Sequence, residues 1–177
     1  DPAAVRSWVR DAIAAASADG LLAALHPGGT HASKRWDEAR FAELIRRWLA
    51  ADPRARVVLV GGPADRAAAR RVRRLATGAG GRLVDCCGRT SLVETAWVLA
   101  QSRVFVGGDS GVAHLAAAVG SATVVLFGSG DPRKWGARGP GHRVVRLNLP
   151  CSPCALFGYQ RSCRDPACLS GLSVETV

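Results

Sequence analysis

Val104-Phe105-Val106-Gly107-Gly108-Asp109-Ser110-Gly111-Val112-Ala113-His114 passes from a strand-like run to a helical pattern across two glycines. The helix it opens, Gly111 to Val119, is short, Ala-rich and stopped by Gly120. The same grammar recurs on both sides. Leu21 to Leu25 ends at His26-Pro27-Gly28-Gly29, Arg56 to Val60 at Gly61-Gly62-Pro63, Leu83 to Cys87 at Gly88, and Thr123 to Phe127 at Gly128. Val144 to Leu147 is a weaker run of the same kind. Continuous apolar runs, rather than alternating ones, mark strands covered on both faces, which points to a parallel sheet.

Helical patterns fill the intervals. Asp37 to Leu49 sets Phe41, Leu44, Ile45 and Trp48 on one stripe. Ala64 to Leu75 carries five arginines, mostly a solvated face. In Ser91 to Ala100, Ser91 is followed three residues on by Glu94, the spacing of a capping box. Ala3 to Ala16 reads as an earlier helix, a connector from an upstream part. Strand and helix in alternation predict an α/β fold with a doubly wound parallel sheet, whose ligands bind beyond the carboxyl ends of the strands. All the Gly-rich exits lie at that edge.

The chain has 177 residues, no Met, and Asp at position 1, so it reads as one domain cut from a longer protein. With 48% hydrophobic residues it is expected to bury a core. The formal charge is +10, from 24 Lys+Arg against 14 Asp+Glu. That sign favours anionic partners such as nucleotides, although an Arg-rich composition throughout gives the same balance. No stretch reaches the roughly 18 apolar residues of a membrane span. No charged-then-apolar signal pattern opens the chain. A core of this size needs no disulfide staples, so a cytoplasmic protein with mostly reduced thiols is expected.

Three segments carry candidate chemistry. At Asp109-Ser110-Gly111, a helix start offers unpaired amides and a positive dipole end to a phosphate, and Gly111 lets the backbone come close. His114, one turn in, is placed to face the same site. Asp109 would repel an anion and suits sugar hydroxyls better; alternatively Asp109 or Ser110 simply caps the helix. A hydrolase elbow is excluded, because Val112 stands where its last glycine belongs. A dinucleotide fingerprint is absent from every strand exit. In His26 to Trp36, Lys34 is one of two lysines in the chain, and its ammonium could offset charge on a leaving phosphate or stand solvated in a loop. Trp36 reads as core. In the tail, Cys151, Cys154, Cys163 and Cys168 have spacings that suit a structural zinc site, packed thiols or a local disulfide.

Taken together, the segments resemble glycosyltransferase family 9, the ADP-heptose:lipopolysaccharide heptosyltransferases. The stretches that carry the resemblance run in order along nearly the whole chain. They are His26-Pro27-Gly28-Gly29 with Lys34-Arg35-Trp36, Val60-Gly61-Gly62-Pro63, Gly88-Arg89-Thr90-Ser91-Leu92, Asp109 through Ala118, Leu126-Phe127-Gly128 and Cys151-Ser152-Pro153-Cys154. The resemblance implies a Rossmann-like domain, the C-terminal half of a GT-B glycosyltransferase. Residues 1–177 would be its nucleotide-sugar-binding domain, with 1–18 a connector helix, 150–177 a Cys-rich tail, and the N-terminal acceptor domain absent. It implies donor contacts from Thr30, Lys34, Asp65, Thr90, Asp109, Ser110, Gly111 and His114. Thr30 and Lys34 fall near the diphosphate, Thr90 near the adenine, and Asp65 where the family often has a ribose-facing Glu. On that resemblance Lys34 would be the catalytic group on this chain, stabilising the leaving ADP. The catalytic base, an Asp, belongs to the missing half, so the fragment alone is expected to bind donor and hardly turn it over. The implied reaction is an inverting transfer of heptose from ADP-heptose to the lipopolysaccharide inner core, with no required cofactor. Peripheral contact with the inner membrane and no nucleic-acid partner are also expected. The alternatives are a related GT-B enzyme using another sugar nucleotide, and a basic nucleic-acid-binding module with a zinc-binding tail.

Overall fold

The computed structural model describes residues 5–17, 21–155, 163 and 166–177. The element order is α1 (Ser7–Ser17), β1 (Leu22–His26), α2 (Glu38–Ala51), β2 (Arg56–Leu59), α3 (Arg66–Leu75), β3 (Leu83–Asp85), α4 (Leu92–Ala100), β4 (Val104–Gly108), α5 (Gly111–Ala118), β5 (Ala122–Leu126), α6 (Pro132–Trp135), β6 (His142–Val145) and α7 (Ala167–Ser170). Among the described residues these strands form one sheet in the order β3-β2-β1-β4-β5-β6. Every pairing is parallel. The chain therefore winds outward from β1 to one edge, crosses back, and winds out from β4 to the other. The doubly wound parallel sheet is the fold expected.

The apolar runs divide between two layers, as a sheet with a period of two requires. Leu25, Val57, Leu59, Val106 and Leu126 face one way, into a core with Trp36, Phe41, Ile45 and Val72. Leu22, Ala24, Val58, Val60, Phe105, Val125 and Phe127 face the other way, against Val9, Ile13, Val98, Leu99 and Ala116. Both faces are covered, which is why alternation is missing from the sequence.

Trp36 is core, as expected: it is 2% exposed, its ring meets Phe41 edge-on at 5.0 Å, and Nε1 donates to the Leu172 carbonyl at 2.9 Å. The last residues of the chain thus pack back onto α2. Part of the Cys-rich tail, 156–162 and 164–165, lies outside the described residues, as do residues 1–4 of the expected connector helix. The described helix, α1, is built into the second layer through Val9 and Ile13, four apart on one face, with Val5 just ahead of it in the same layer.

Several boundaries moved for identifiable reasons. β4 runs through Gly107 and Gly108, since both pair with β5, opposite Val125 and Leu126. The glycines that look like a turn are ladder residues. β3 ends at Asp85, leaving the buried Cys86 and Cys87 in the loop beyond it. Burial pushes the Cys86 thiol up to about 11 and raises Cys87 as well, so neither is a reactive thiolate near neutrality.

Candidate nucleotide-sugar site

The order of the strands reverses between β1 and β4, and in such sheets the crevice at this reversal is where ligands bind. A cavity of about 700 Å³ opens there. The β1 exit supplies His26, Gly29, Thr30 and Arg35; the β2 exit supplies Gly61 through Asp65. Thr90, Leu92 and Thr95 close one side, and Ser110, Gly111, Val112 and Leu115 of the α5 start close the other. Pro63, Leu92, Val112 and Leu115 give the lining its larger apolar side chains, and glycines with Thr30, Asp65, Thr90 and Ser110 make up much of the rest.

The α5 start is open at its amides. Ser110 is its N-cap, extended at φ −157 and ψ 164, and its hydroxyl oxygen accepts from the Ala113 amide at 3.4 Å. The amides of Gly111 and Val112 have no partner within the helix. A side chain at Gly111 would meet nothing within 4 Å, so the approach to these amides is open.

The β1 exit folds across β4. A short turn, Ala32–Lys34, brings the Lys34 carbonyl so near Gly108 that a Cβ there would sit 2.4 Å from it; only glycine fits. That closeness sets Lys34 Nζ 2.6 Å from Asp109 Oδ2, with the side chains 25% and 6% exposed. The ion pair resolves the difficulty that Asp109 posed at an anion site, because its charge is met by Lys34.

Of the residues expected to bind donor, Thr30, Asp65, Thr90, Ser110 and Gly111 line the cavity. Lys34 and Asp109, bonded to each other, are not among the lining residues but directly precede two that are, Arg35 and Ser110. His114 does not line it: the cavity meets the stripe Gly111, Val112 and Leu115, where Leu115 stands one turn above both of the others, while His114 stands above Gly111 and Ser110. Its exposed ring instead stands 6.5 Å from Trp135, edge-on. Asp65 is engaged: its Oδ2 bonds His26 Nε2 at 3.2 Å and accepts from the Gly62 amide at 2.8 Å. The His26 bond is the main cause holding the Asp65 carboxyl below the usual carboxylate range. Thr90 Oγ1 shares a hydrogen bond with Thr95 Oγ1 at 2.9 Å.

Sequence reasoning missed most of the apolar and glycine lining, and with it two lining residues that can carry charge, His26 and Arg35. His26 looks like the last residue of an apolar run, and nothing local shows that its ring is held from both sides. Arg35 donates from Nε to the Gly29 carbonyl at 2.7 Å. Its signal was the charge beside Lys34.

Of the three readings of the tail cysteines, zinc finds no support in the geometry: among the described residues no group of three or more His, Cys, Asp or Glu could hold a metal ion, and no disulfide is formed. Cys168 turns into the core with Leu169 and Leu172, while Cys151 and Cys163 are exposed. Burial first, then the nearby thiols of Cys154 and Cys163, raises the Cys168 pKa, so this thiol is not a reactive thiolate near neutrality. No helix among the described residues is long and apolar enough to cross a membrane.

Known proteins match this arrangement. The model of glycosyltransferase family 9 (heptosyltransferase) matches residues 6–162. The lipopolysaccharide heptosyltransferase 1 of Pseudomonas aeruginosa is 38% identical over 133 residues, which is 75% of this chain and 36% of that protein. The chain thus spans about a third of the length of that curated relative. Among solved structures, the Escherichia coli ADP-heptose lps heptosyltransferase II superposes with a TM-score of 0.71 at 26% identity, over 80% of this chain and 42% of that one. The E. coli heptosyltransferase WaaC with ADP-2-deoxy-2-fluoro heptose superposes at 0.63 with 26% identity, over 96% and 45%. By a family match along most of its length and a cavity at the strand-order reversal, this chain belongs to glycosyltransferase family 9.

Proposed function

We propose that the chain is the donor-binding, C-terminal half of a GT-B glycosyltransferase that transfers heptose from ADP-heptose to the lipopolysaccharide inner core. The observation that carries this reading is the open α5 start beside the Lys34–Asp109 pair, on a cavity that also presents Leu92, Val112 and Leu115. The diphosphate lies at the Gly111 and Val112 amides and Ser110, within reach of Lys34 and Thr30. The adenine lies against Leu92 and Leu115, near Thr90, whose hydroxyl oxygen keeps a lone pair for an amine. The carboxylate of Asp109 receives the sugar hydroxyls, with His114 on the outer side of α5. Asp65 holds the ribose end indirectly, since His26 occupies its Oδ2. The solved WaaC relative was crystallised with ADP and with ADP-2-deoxy-2-fluoro heptose, which supports the adenine diphosphate assignment.

In the reaction the acceptor hydroxyl oxygen attacks the anomeric carbon, the bond to the β-phosphate oxygen breaks with inversion, and ADP leaves. The acceptor proton passes to a base on the other half of the enzyme. Charge gathering on the departing diphosphate is met by the Lys34 ammonium and the helix amides, which stand in place before the reaction begins. No cofactor enters this scheme. The acceptor core, carried on a lipid, brings the enzyme to the inner membrane surface from the cytoplasm.

Calorimetry with ADP, UDP and GDP on this chain tests the proposal. ADP is expected to bind more tightly than the other two. A preference for UDP or GDP transfers the site to another sugar nucleotide, and no binding of any of them removes the donor-site reading.

A further inference from the structure

His26 is 3% exposed at the end of β1, and its ring joins two other strand exits. Nε2 lies 3.2 Å from Asp65 Oδ2, beyond β2, and Nδ1 lies 3.2 Å from Ser110 Oγ, beyond β4. The backbone gives way to this chain of groups. A Cβ at Gly28 would sit 1.8 Å from Asp65 Oδ1 and 2.8 Å from His26 Nε2, so a side chain there would expel the pair. The contacts converge on one hydroxyl, the N-cap of α5.

The hydrogen-bond roles along the chain are determined by its far end. Asp65 is ionised, and its Oδ2 already accepts from the Gly62 amide. A carboxylate only accepts, so His26 Nε2 carries a hydrogen and donates it. In the neutral ring Nδ1 is then bare and accepts from the Ser110 hydroxyl. With its one hydrogen committed, Ser110 Oγ shows the cavity lone pairs alone. An incoming phosphate oxygen meets another acceptor. When Nδ1 takes a proton the roles reverse: the ring donates to Oγ, and the Ser110 hydrogen is released to point at the phosphate. A positive charge appears behind it at the same time.

We propose that His26 is a positioning residue of the diphosphate cradle, taking up a proton as the ligand binds and thereby turning Ser110 from acceptor to donor. This rests on the donor-site reading above. The charged or titratable groups on the elements around the ring are Asp65, the Lys34–Asp109 pair, Arg35, Arg66, Asp85 and His114. Among the described residues, Asp65 is the one of these that bonds the ring. Burial of the ring favours its neutral form, whereas the charge of an arriving diphosphate, added to the Asp65 carboxylate, favours the protonated one. Affinity therefore falls as pH rises through the range where the ring titrates, by at most about tenfold per pH unit.

The test is calorimetry of the chain with ADP-ribose, whose diphosphate holds no proton that titrates near neutrality, in two buffers of different protonation heat. The difference between the buffers gives the protons taken up, expected to approach about one per ligand inside that range. His26→Gln keeps a donor for Asp65 and an acceptor for Ser110 but cannot take a proton. It is expected to bind ADP-ribose with no uptake and a flat pH profile. Nitrogen-15 shifts of the His26 ring in the unaltered chain give a second reading that needs no variant. Nε2 alone is expected to be protonated without ligand, and both nitrogens with it. Binding without uptake, uptake that persists in His26→Gln, or an Nδ1 still bare in the complex would each overturn the proposal while leaving the site where it is. Failure of ADP-ribose to bind at all overturns the donor-site reading and this proposal together.

Discussion

Helices α4 and α5 both begin at a serine N-cap beyond the carboxyl end of a strand, and both pack on the same layer, yet one start is closed and the other open. At α4, Ser91 Oγ accepts from the Glu94 amide at 3.2 Å, and the Glu94 carboxylate reaches back to the Ser91 amide at 2.8 Å. The same carboxylate, 3% exposed, also takes the Arg6 amide at 3.1 Å and the Arg6 guanidinium at 2.6 and 2.7 Å. Arg6 and Arg89 in turn lie over the Trp8 ring. That start supplies its own anion and fastens α1 to the domain. At α5 the third helical residue is Ala113, with no carboxylate to reach back, and Ser110 bonds His26 instead. A helix start that holds its own carboxylate is structure; one left open at the strand-order reversal is a place for a ligand's charge.

The sharpest way to break this contrast is to give α5 an anion of its own. Gly111→Asp places a carboxylate at the first turn in open space, where it suits the helix dipole. The fold is expected to melt no lower than before, while two unit charges about 4 Å apart near a surface repel by about 4 kcal/mol. ADP affinity, read by calorimetry, should fall on the order of a thousandfold. ADP binding at full strength in this variant would place the diphosphate elsewhere.

Removing the cation beside the open start comes next. Lys34→Ala in the full-length enzyme is expected to lower turnover by roughly a hundredfold, as loss of one aimed charge does. Part of that loss is the uncompensated Asp109. Lys34→Ala with Asp109→Asn should therefore lose less ADP affinity than Lys34→Ala alone, a coupling that a double-mutant cycle measures. Unchanged turnover in Lys34→Ala takes the lysine out of the mechanism.

At the closed start the expected effect is on stability. Glu94 is held well below the usual carboxylate range, first by the Arg6 guanidinium and then by the Ser91 amide. Its unfolded pKa is the higher of the two, so its contribution is full above about pH 4.3 and is lost as pH falls toward the folded value. Glu94→Gln should melt lower than the natural chain at pH 7, with the gap closing in acid. Melting followed by circular dichroism checks this, and a gap that stays constant with pH would assign the loss to packing rather than charge.

Legibility followed sequence separation. The α4 capping box lies within four residues and was readable, as were the continuous strands, the stripe on α2 and the Asp109-Ser110-Gly111 helix start. Contacts between distant exits were not. His26 meets Asp65 39 residues away and Ser110 84 residues away, and Lys34 meets Asp109 75 residues away. His114 was placed by counting one turn, but the cavity takes the neighbouring stripe of α5. The cysteine spacing left zinc, packed thiols and a disulfide open, and the burial of Cys168 beside Leu169 is the packed-thiol reading for that residue.

By itself the sequence determined which segments are strands or helices, that both faces of the sheet are covered, and that the carboxyl edge carries glycine-rich exits. These follow from periodicity and local hydrogen-bond chemistry, each spanning a few residues. Tertiary structure alone decided that β1 lies beside β4, and so which exits share a crevice. Strand order depends on crossovers whose ends are far apart in the chain, and no local pattern encodes that choice. The pairing of Lys34 with Asp109, and of His26 with both Asp65 and Ser110, exists only once those exits are side by side.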